Sequence, residues 1–266
     1  MTPGPYDVLI GAAFAAVVAV AAWRARALTR GGAAAAFAVG TLTFACGHLG
    51  GTVVLLAFFV PSVVLSRVGR TRKRALVDIG KGGPRDAVQV LANGGVATVC
   101  VVVYAYTHDL RWAFAFAGAY AAATADTWAT ELGTLARHRP RSIFTLRPIA
   151  TGMSGGITLP GTLAEIAGAI WIAAVASFPA GLVHAASRWG LLAIPLGGIA
   201  GAMLDSVLGG SVQELRRCEV CDRTCETDPH VCGTPTRLVR GLRGFSNDLV
   251  NLAATLAGAA VAFALA

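Results

Sequence analysis

Eight apolar segments constrain the fold of this chain more than any other feature of its sequence. Segments of this length and composition are typical of helices that cross a bilayer, whose hydrocarbon core needs about 20 apolar residues. The chain is 55% hydrophobic and only 14% charged, which is the balance of a membrane protein. We therefore expect an all-α fold, a polytopic transmembrane helical bundle of about seven to eight membrane helices. The segments lie at about residues 7–23, 31–46, 51–66, 86–106, 112–135, 158–182, 189–212 and 245–265.

The second and third segments are short and flank a glycine-rich stretch at 47–51. They could form a tight helical hairpin or a re-entrant pair, and both arrangements leave the direction of the later segments unchanged. We treat residues 1–266 as a single integral membrane domain. The stretch at 213–243 is expected to be a cytoplasmic loop rich in Cys and His within that domain.

The basic residues predict the orientation. All Lys and Arg residues except Arg111 and Arg188 fall in the loops after segments one, three, five and seven. The positive-inside rule then places those loops in the cytoplasm and both termini outside, in a prokaryotic cytoplasmic (inner) membrane. The net charge of +8 fits anionic lipid head groups, so we expect no nucleic acid partner. We expect Arg72, Lys73 and Arg74 to serve only as topology and lipid anchors.

The run from Ala121 to Gly133 is unusual because it places Asp126 and Glu131 inside an apolar segment. An ionised acid at the bilayer centre costs roughly 2.5–3.5 kcal/mol on insertion scales, so such acids are usually paired, hydrated or used. On an ideal helix the two acids point about 140° apart. One alternative is a polar patch that holds helices together. We favour a functional site, because the intramembrane acids collect near the cytoplasmic ends of their segments.

Two stretches have the composition of anion sites. Arg85, Gln89 and Asn93 recur every four residues after the basic loop that contains Lys81, so they share one helix face. The loop 151–158 is rich in glycine and hydroxyl groups and leads into a helix, where exposed backbone N–H groups favour anions. We expect both stretches to contact phosphate.

Segments seven and eight add further polar groups. Asp205 and Gln213 continue a four-residue spacing of glycines at 197, 201 and 209. The glycines, which allow close approach of another helix, therefore lie on the same helix face as the two polar residues. Asn247, Asp248 and Asn251 open segment eight, and helix capping explains at most one of them.

The loop after segment seven has the spacing of a small zinc site. Cytoplasmic thiols stay reduced, so a disulfide framework is not expected. We predict structural zinc held by Cys218, Cys221 and two of Cys225, His230 and Cys232, with unligated thiols as the alternative.

Several of these motifs resemble an integral-membrane family that includes the plant and cyanobacterial phytyl-phosphate kinases. A more distant similarity is to dolichol kinase and phosphatidate cytidylyltransferase. Thr130 stands where the family usually has Ser, and Met153-Ser154 stands where Thr-Ser or Thr-Asn is common. The matching pieces are 89–95, 125–133, 152–158, 204–209, the Cys/His loop and 247–251.

The resemblance implies a membrane-embedded, Mg²⁺-dependent kinase. It would transfer a phosphoryl group from CTP or another nucleoside triphosphate to a prenyl monophosphate, giving the prenyl diphosphate. Asp126, Glu131 and Asp205 are the expected catalytic and Mg²⁺-binding residues. Other expected partners are the lipid bilayer and, as an option, a second copy in a homodimer. The expected phosphate-binding set is Lys81, Arg85, Gln89, Asn93, Thr127, Thr130, Gly152, Ser154, Gly155, Gly156, Thr158, Gln213, Asn247, Asp248 and Asn251.

Two other functions fit parts of the sequence. A CTP-dependent lipid cytidylyltransferase would keep the fold but release diphosphate. A transporter or flippase of a phosphorylated lipid would place acids at mid-depth, between broken helices in two halves of the chain. A weak echo of 125–127 in 204–206 leaves this second option open.

Overall fold

The computed structural model describes residues 2–69, 71, 73, 83–178, 182–183 and 188–266. Six of the helices in this part of the chain are long and apolar enough to cross a membrane. The remaining one, α4, is as long but carries the acids of the 121–133 run. The all-α membrane bundle expected from the sequence is confirmed. The helices are α1 (Pro5–Arg24), α2 (Arg30–Arg67), α3 (Ala87–Thr107), α4 (Leu110–Gly133), α5 (Leu159–Ser177), α6 (Arg188–Ser211) and α7 (Asn247–Leu265).

Helix α2 is a hairpin of two helical halves. The chain breaks at His48, whose backbone has φ 47° and ψ −145°. A Cβ added at Gly51 would lie 3.3 Å from the Thr43 carbonyl oxygen, so the halves fold against each other. Arg67 then donates a hydrogen bond of 2.9 Å to the Ala25 carbonyl, next to the start of α2. The halves on either side of His48 contain 18 and 19 residues, which lies within the range of about 17–25 residues for helices that cross a bilayer.

Helix α4 forms the centre of the bundle. It packs against α2, α3, α5, α6 and α7, and every residue from Ala113 to Ala125 is buried. Most of these side chains are alanine, which allows neighbouring backbones to approach closely. The polar residues that follow are therefore surrounded by protein on several sides.

One helix ends earlier than the sequence suggested. We expected the sixth segment to run to residue 182, but α5 ends at Ser177. Phe178 has an extended backbone, with φ −62° and ψ 155°. The next residue is Pro179, and a residue before proline is disfavoured in the helical region.

The basic loops gather at one end of the bundle. The backbones of Thr29 and Arg85 join two of them through an N–H···O bond of 3.0 Å. The side chains of Ser154 and Glu226 join the other two. The loop between α4 and α5 contains an antiparallel pair of strands, β1 (Arg141–Ser142) and β2 (Gly156–Ile157). The loop between α6 and α7 contains a three-stranded sheet of order β4-β3-β5, formed by β3 (Leu215–Cys218), β4 (Arg223–Cys225) and β5 (Arg237–Arg240).

Candidate active site

Asp126 of α4 and Asp205 of α6 meet at the basic-loop end of the bundle. The helices approach closely one turn earlier, where a Cβ added at Gly201 would lie 2.5 Å from the Ala122 Cβ. One turn further on, the two carboxyl groups are within hydrogen-bonding reach of each other. Oδ2 of Asp205 is buried and receives no hydrogen bond from the described residues. Close helix packing at the glycine stripe, which the four-residue spacing predicted, thus places Asp205 next to Asp126.

Two further acids face this pair, and the sequence analysis assigned neither of them to the site. Glu165 of α5 is in electrostatic contact with both Asp126 and Asp205. It reaches them because Gly168, one turn away, packs directly on Ala125. Glu226, from the loop between α6 and α7, is in electrostatic contact with Asp205. Four carboxyl groups from three helices and one loop therefore converge.

Glu131 lies on the basic side of this cluster. Its carboxylate accepts a hydrogen bond from Lys73, and Lys73 also donates to the Leu65 carbonyl at 2.8 Å. Arg85 and Asp126 are both in electrostatic contact with Glu131. Lys73 is therefore more than the lipid anchor that we expected, since it pairs with an acid of the central helix.

The glycine loop packs against the end of α6. Gly155 has φ +80°, and an added Cβ there would collide with the Cα of Gly210. The Ser154 hydroxyl donates to Glu226. The Gly156 N–H is already bonded to the Met153 carbonyl at 3.2 Å, so any anion contact must use other groups of the loop, such as Gly152.

Three threonines expected in the site differ in their surroundings. The Thr158 hydroxyl caps α5 by accepting the Gly161 N–H at 3.1 Å, which gives it a structural role. Thr127 is half-buried next to Asp126 in the chain, whereas Thr130 is exposed.

The polar face of α3 opens onto an apolar cleft. Arg85, Gln89 and Asn93 line it together with apolar residues of α1, α2 and α3, and the cleft encloses about 860 Å³, including its open mouth. Gln89 is partly committed to a capping box with Asp86. The Asn93 amide donates to the Gln89 carbonyl at 2.9 Å. Lys81 lies outside the described residues.

Helix α7 brings its polar residues to the same end. A Cβ added at Gly201 would also lie 2.5 Å from the Ala254 carbonyl oxygen, so α7 packs against α6 there. Asn251 and Asn247 follow Ala254 on the same helix face toward the loops. Asp248 is buried, with 5% of its surface exposed.

Gln213 lies at the end of the α6 stripe. Its side chain is buried, with 1% exposed, and lies beside Glu226. Arg240 of β5 closes this region by donating to the Gly209 carbonyl at 2.8 Å. Burial raises the pKa of the Glu226 carboxyl to about 7, although the Ser154 hydrogen bond and the Arg240 charge oppose this shift.

The Cys/His loop forms a compact cluster away from the acids. One ligand atom from each of Cys218, Cys221, His230 and Cys232 lies within 4.8 Å of all the others. Cys225 is outside this group, and its Sγ instead contacts the Thr227 carbonyl at 3.5 Å. The spacing left three candidates for two positions, and His230 and Cys232 are the two that lie in this group.

Comparisons with known proteins agree with this architecture. The chain is similar to Protein PGR of Arabidopsis thaliana, with 30% identity over 96% of this chain and 94% of that protein. It is also similar to the membrane protein MJ0933 of Methanocaldococcus jannaschii, with 35% identity over 59% of this chain and 63% of the relative.

A third similarity is to the chloroplastic Protein VTE6 of Arabidopsis thaliana, with 25% identity over 70% of this chain and 57% of that protein. No solved structure matches the chain. Residues 13–259 match the family described as integral membrane protein DUF92, and the chain belongs to that family.

Proposed function

We propose that this protein transfers a phosphoryl group from a nucleoside triphosphate to a prenyl monophosphate, with Mg²⁺ bound at the Asp126–Asp205 pair. The observation that carries this proposal is the meeting of these two carboxyl groups, which are brought together from different helices. The motif resemblance to phytyl-phosphate kinases supports the same reaction. CTP or another nucleoside triphosphate would be the donor.

The acid cluster fits a divalent cation. Carboxylates held at such close range repel one another and lose hydration, and a bound cation relieves both costs. The buried Asp205 Oδ2, which receives no hydrogen bond within the described residues, is an oxygen suited to Mg²⁺. When bound, the ion would neutralise charge on the transferring phosphates. Asp126 and Asp205 would hold it, with Glu165 and Glu226 near enough to assist through water.

The basic groups provide the anion half of the site. Glu131 was expected to bind the ion as well, but it already has Lys73 as a partner. We therefore assign Glu131 to holding Lys73 and Arg85 beside the acids, where both cations can contact phosphate. The glycine loop packs against the turn that follows Asp205, and backbone N–H groups of this loop would bind a further phosphate oxygen.

The cleft between α1, α2 and α3 suits the lipid substrate. It is lined mainly by apolar side chains, including Phe14, Phe44 and Leu55, so a prenyl tail would bury apolar surface there. Arg85 and Asn93 lie in the same lining and would hold the phosphate end. Because Arg85 is in electrostatic contact with Glu131, a phosphate held at Arg85 is directed toward the acid cluster.

The protein's residues would act mainly by positioning the phosphate groups of the two substrates. A phosphate oxygen of the prenyl monophosphate attacks the γ-phosphorus of the donor, and the bond to the bridging oxygen breaks. Prenyl diphosphate forms and a nucleoside diphosphate leaves. Such transfer needs alignment of the two phosphates and neutralisation of their charge more than covalent participation by the protein.

The depth of the acids favours an enzyme over a transporter. Asp126, Glu165 and Asp205 each lie about two helical turns, roughly 10 Å, from the loop end of their helix. A transport path would place such groups near the bilayer midplane instead. The positive-inside rule puts this end, with the substrate-binding loops, in the cytoplasm.

Product analysis of the purified protein tests the reaction. The full chain in detergent is incubated with prenyl monophosphates of several lengths, Mg²⁺ and each nucleoside triphosphate in turn. We expect prenyl diphosphate and the nucleoside diphosphate in equal amounts. Release of inorganic diphosphate with a nucleotide-linked lipid would establish the cytidylyltransferase reaction instead, and absence of turnover with every pair would refute both.

A further inference from the structure

The loop between α6 and α7 contains a second cluster of polar side chains, separate from the acids. Its strands β3 and β4 form an antiparallel hairpin in which Cys218 pairs with Arg223. Cys218 therefore ends β3, and Cys221 lies in the hairpin turn that follows. A second turn follows, in which the His230 N–H bonds to the Thr234 carbonyl at 3.0 Å, and this turn presents His230 and Cys232 to the first.

The distances within the cluster are close to those of a tetrahedral metal site. Zinc binds thiolate sulfur at about 2.3 Å and imidazole nitrogen at about 2.0–2.1 Å, so neighbouring ligand atoms lie about 3.5–3.8 Å apart. The Sγ atoms of Cys218 and Cys232 are 3.6 Å apart, and His230 Nδ1 lies 3.1 Å from the Cys232 sulfur. A disulfide would need about 2.05 Å between two sulfurs and would leave the other ligands unused.

The chemistry of the set selects zinc among the common ions. Thiolates are soft ligands and imidazole is a borderline one, and this combination suits zinc but not the hard ion Mg²⁺. The Thr234 hydroxyl lies 3.3 Å from the Cys232 sulfur and can orient it, as outer-shell partners of metal ligands commonly do.

The cluster brackets the segment that carries Glu226. Cys221 precedes Glu226 in the chain and His230 follows it, so a metal that joins them closes a short loop around this residue. Glu226 is then held against Ser154 of the glycine loop. A short chain segment whose ends are held together has few conformations to lose when it becomes ordered, so the metal would help to keep Glu226 in one position.

We propose that Cys218, Cys221, His230 and Cys232 bind one structural zinc ion, which fixes the segment of Glu226 against the glycine loop. The zinc site stands on the geometry of the cluster alone. Only its consequence for turnover rests on the proposed function, since Glu226 would act there through Asp205.

Metal analysis of the full chain tests the site. The protein is purified in detergent with a reductant, supplied with zinc and dialysed without chelator. We expect about one zinc per chain in the parent, and at least a tenfold loss in Cys218→Ser and Cys232→Ser. Cys225→Ser is the matched control, because this buried thiol of the same loop lies outside the cluster, and it should retain zinc.

A measurement on the parent protein guards against variants that fail to fold. Modification of the thiols with a mercurial should release the zinc, detected with a coloured chelator. A parent protein that takes up no stoichiometric zinc overturns the proposal. Equal loss of zinc in Cys225→Ser and Cys218→Ser overturns the assignment of the ligands.

Proteolysis tests the positioning role without an activity assay. Removing zinc from the parent should speed tryptic cleavage after the exposed residues Arg223 and Arg237 by about tenfold, because the loop then opens locally. Cys225→Ser should show the same chelator effect, and Cys218→Ser should be cut rapidly without chelator. If zinc leaves the parent and the cleavage rate does not change, zinc does not hold this segment.

Discussion

Asp126 and Asp205 lie on parallel neighbouring helices, with their carboxyl groups within hydrogen-bonding reach of each other. The contact exists because Gly201 lets α6 approach Ala122 one turn earlier. A larger residue at Gly201 would separate the helices and with them the acids. The pair is therefore a consequence of close helix packing as well as of its own chemistry.

The ion pair of Lys73 and Glu131 gives a first prediction. Their side chains are only 13% and 21% exposed, so Lys73→Met leaves a largely buried carboxylate without its partner. We expect this change to lower the free energy of unfolding by about 1–3 kcal/mol. Adding Glu131→Gln should recover part of that loss, which a double-mutant cycle from thermal unfolding would measure. The exposed Arg111–Asp109 pair is the control and should show much weaker coupling.

The second prediction concerns Gly155 in the glycine loop. The backbone at Gly155 has φ +80°, which is strained for alanine, and the Cβ of Gly155→Ala would also collide with the Gly210 backbone. Gly244→Ala is the matched control, since its φ is +85° and nothing lies within 4 Å of an added Cβ. The control should lose about 1–2 kcal/mol of unfolding free energy, and Gly155→Ala distinctly more. Equal losses would show that the loop does not pack tightly on α6.

The third prediction is a pH dependence from Glu226. Burial raises the pKa of this carboxyl from 4.5 to about 7 in the folded protein. Between these values the folded state keeps a proton that the unfolded state has released, so stability falls as pH rises through this window. Tryptophan-fluorescence melting of the zinc-loaded protein without Mg²⁺ should show a shallower decline in Glu226→Gln than in the parent. Glu219→Gln, at an exposed position in the same loop, should follow the parent curve.

The fourth prediction concerns the cleft. Ala36 lines it and Ala38 is exposed outside it, so Ala36→Phe and Ala38→Phe form a matched pair. If the prenyl tail occupies the cleft, Ala36→Phe should raise the KM for prenyl monophosphate about tenfold or more and leave the KM for the nucleotide nearly unchanged. Ala38→Phe should behave as the parent. An increase in the nucleotide KM alone would assign the cleft to the other substrate.

Much of the fold follows from the sequence because apolar length and basic loops are strong local signals. The spacing of glycines from 197 to 209 also predicted the stripe that carries Asp205. The break between segments two and three was predicted, but its sharpness at a single residue, His48, depends on tertiary packing. Pro179 was a local signal for the early end of α5, but the segment bounds were drawn from the length of the apolar run and did not use it.

The site was only partly predictable because its remaining members are set by long-range contacts. Lys73 sits in a run of basic residues that all read as surface groups, and only the fold brings it to Glu131. Glu226 lies between cysteines in a polar loop, and no local pattern separates it from the exposed acids of the same loop. Glu165 did have a signal, since it is an acid within an apolar helix, like Asp126.

The central claim is that the paired acids hold Mg²⁺ for phosphoryl transfer. Asp126→Asn and Asp205→Asn remove charge without changing side-chain size, so both proteins should fold. Thr107→Ala is the control, because this exposed hydroxyl lies at the opposite end of the bundle, where it donates to the Val103 carbonyl and accepts the Asp109 N–H.

The most direct measurement is the rate of Mg²⁺-dependent prenyl diphosphate formation by purified Asp126→Asn protein whose melting curve matches that of the parent. The account predicts a rate at least about a hundredfold below the parent, with Thr107→Ala unchanged. Turnover of prenyl monophosphate at the parent rate by well-folded Asp126→Asn protein would contradict it, and the acids would then be packing or topology features.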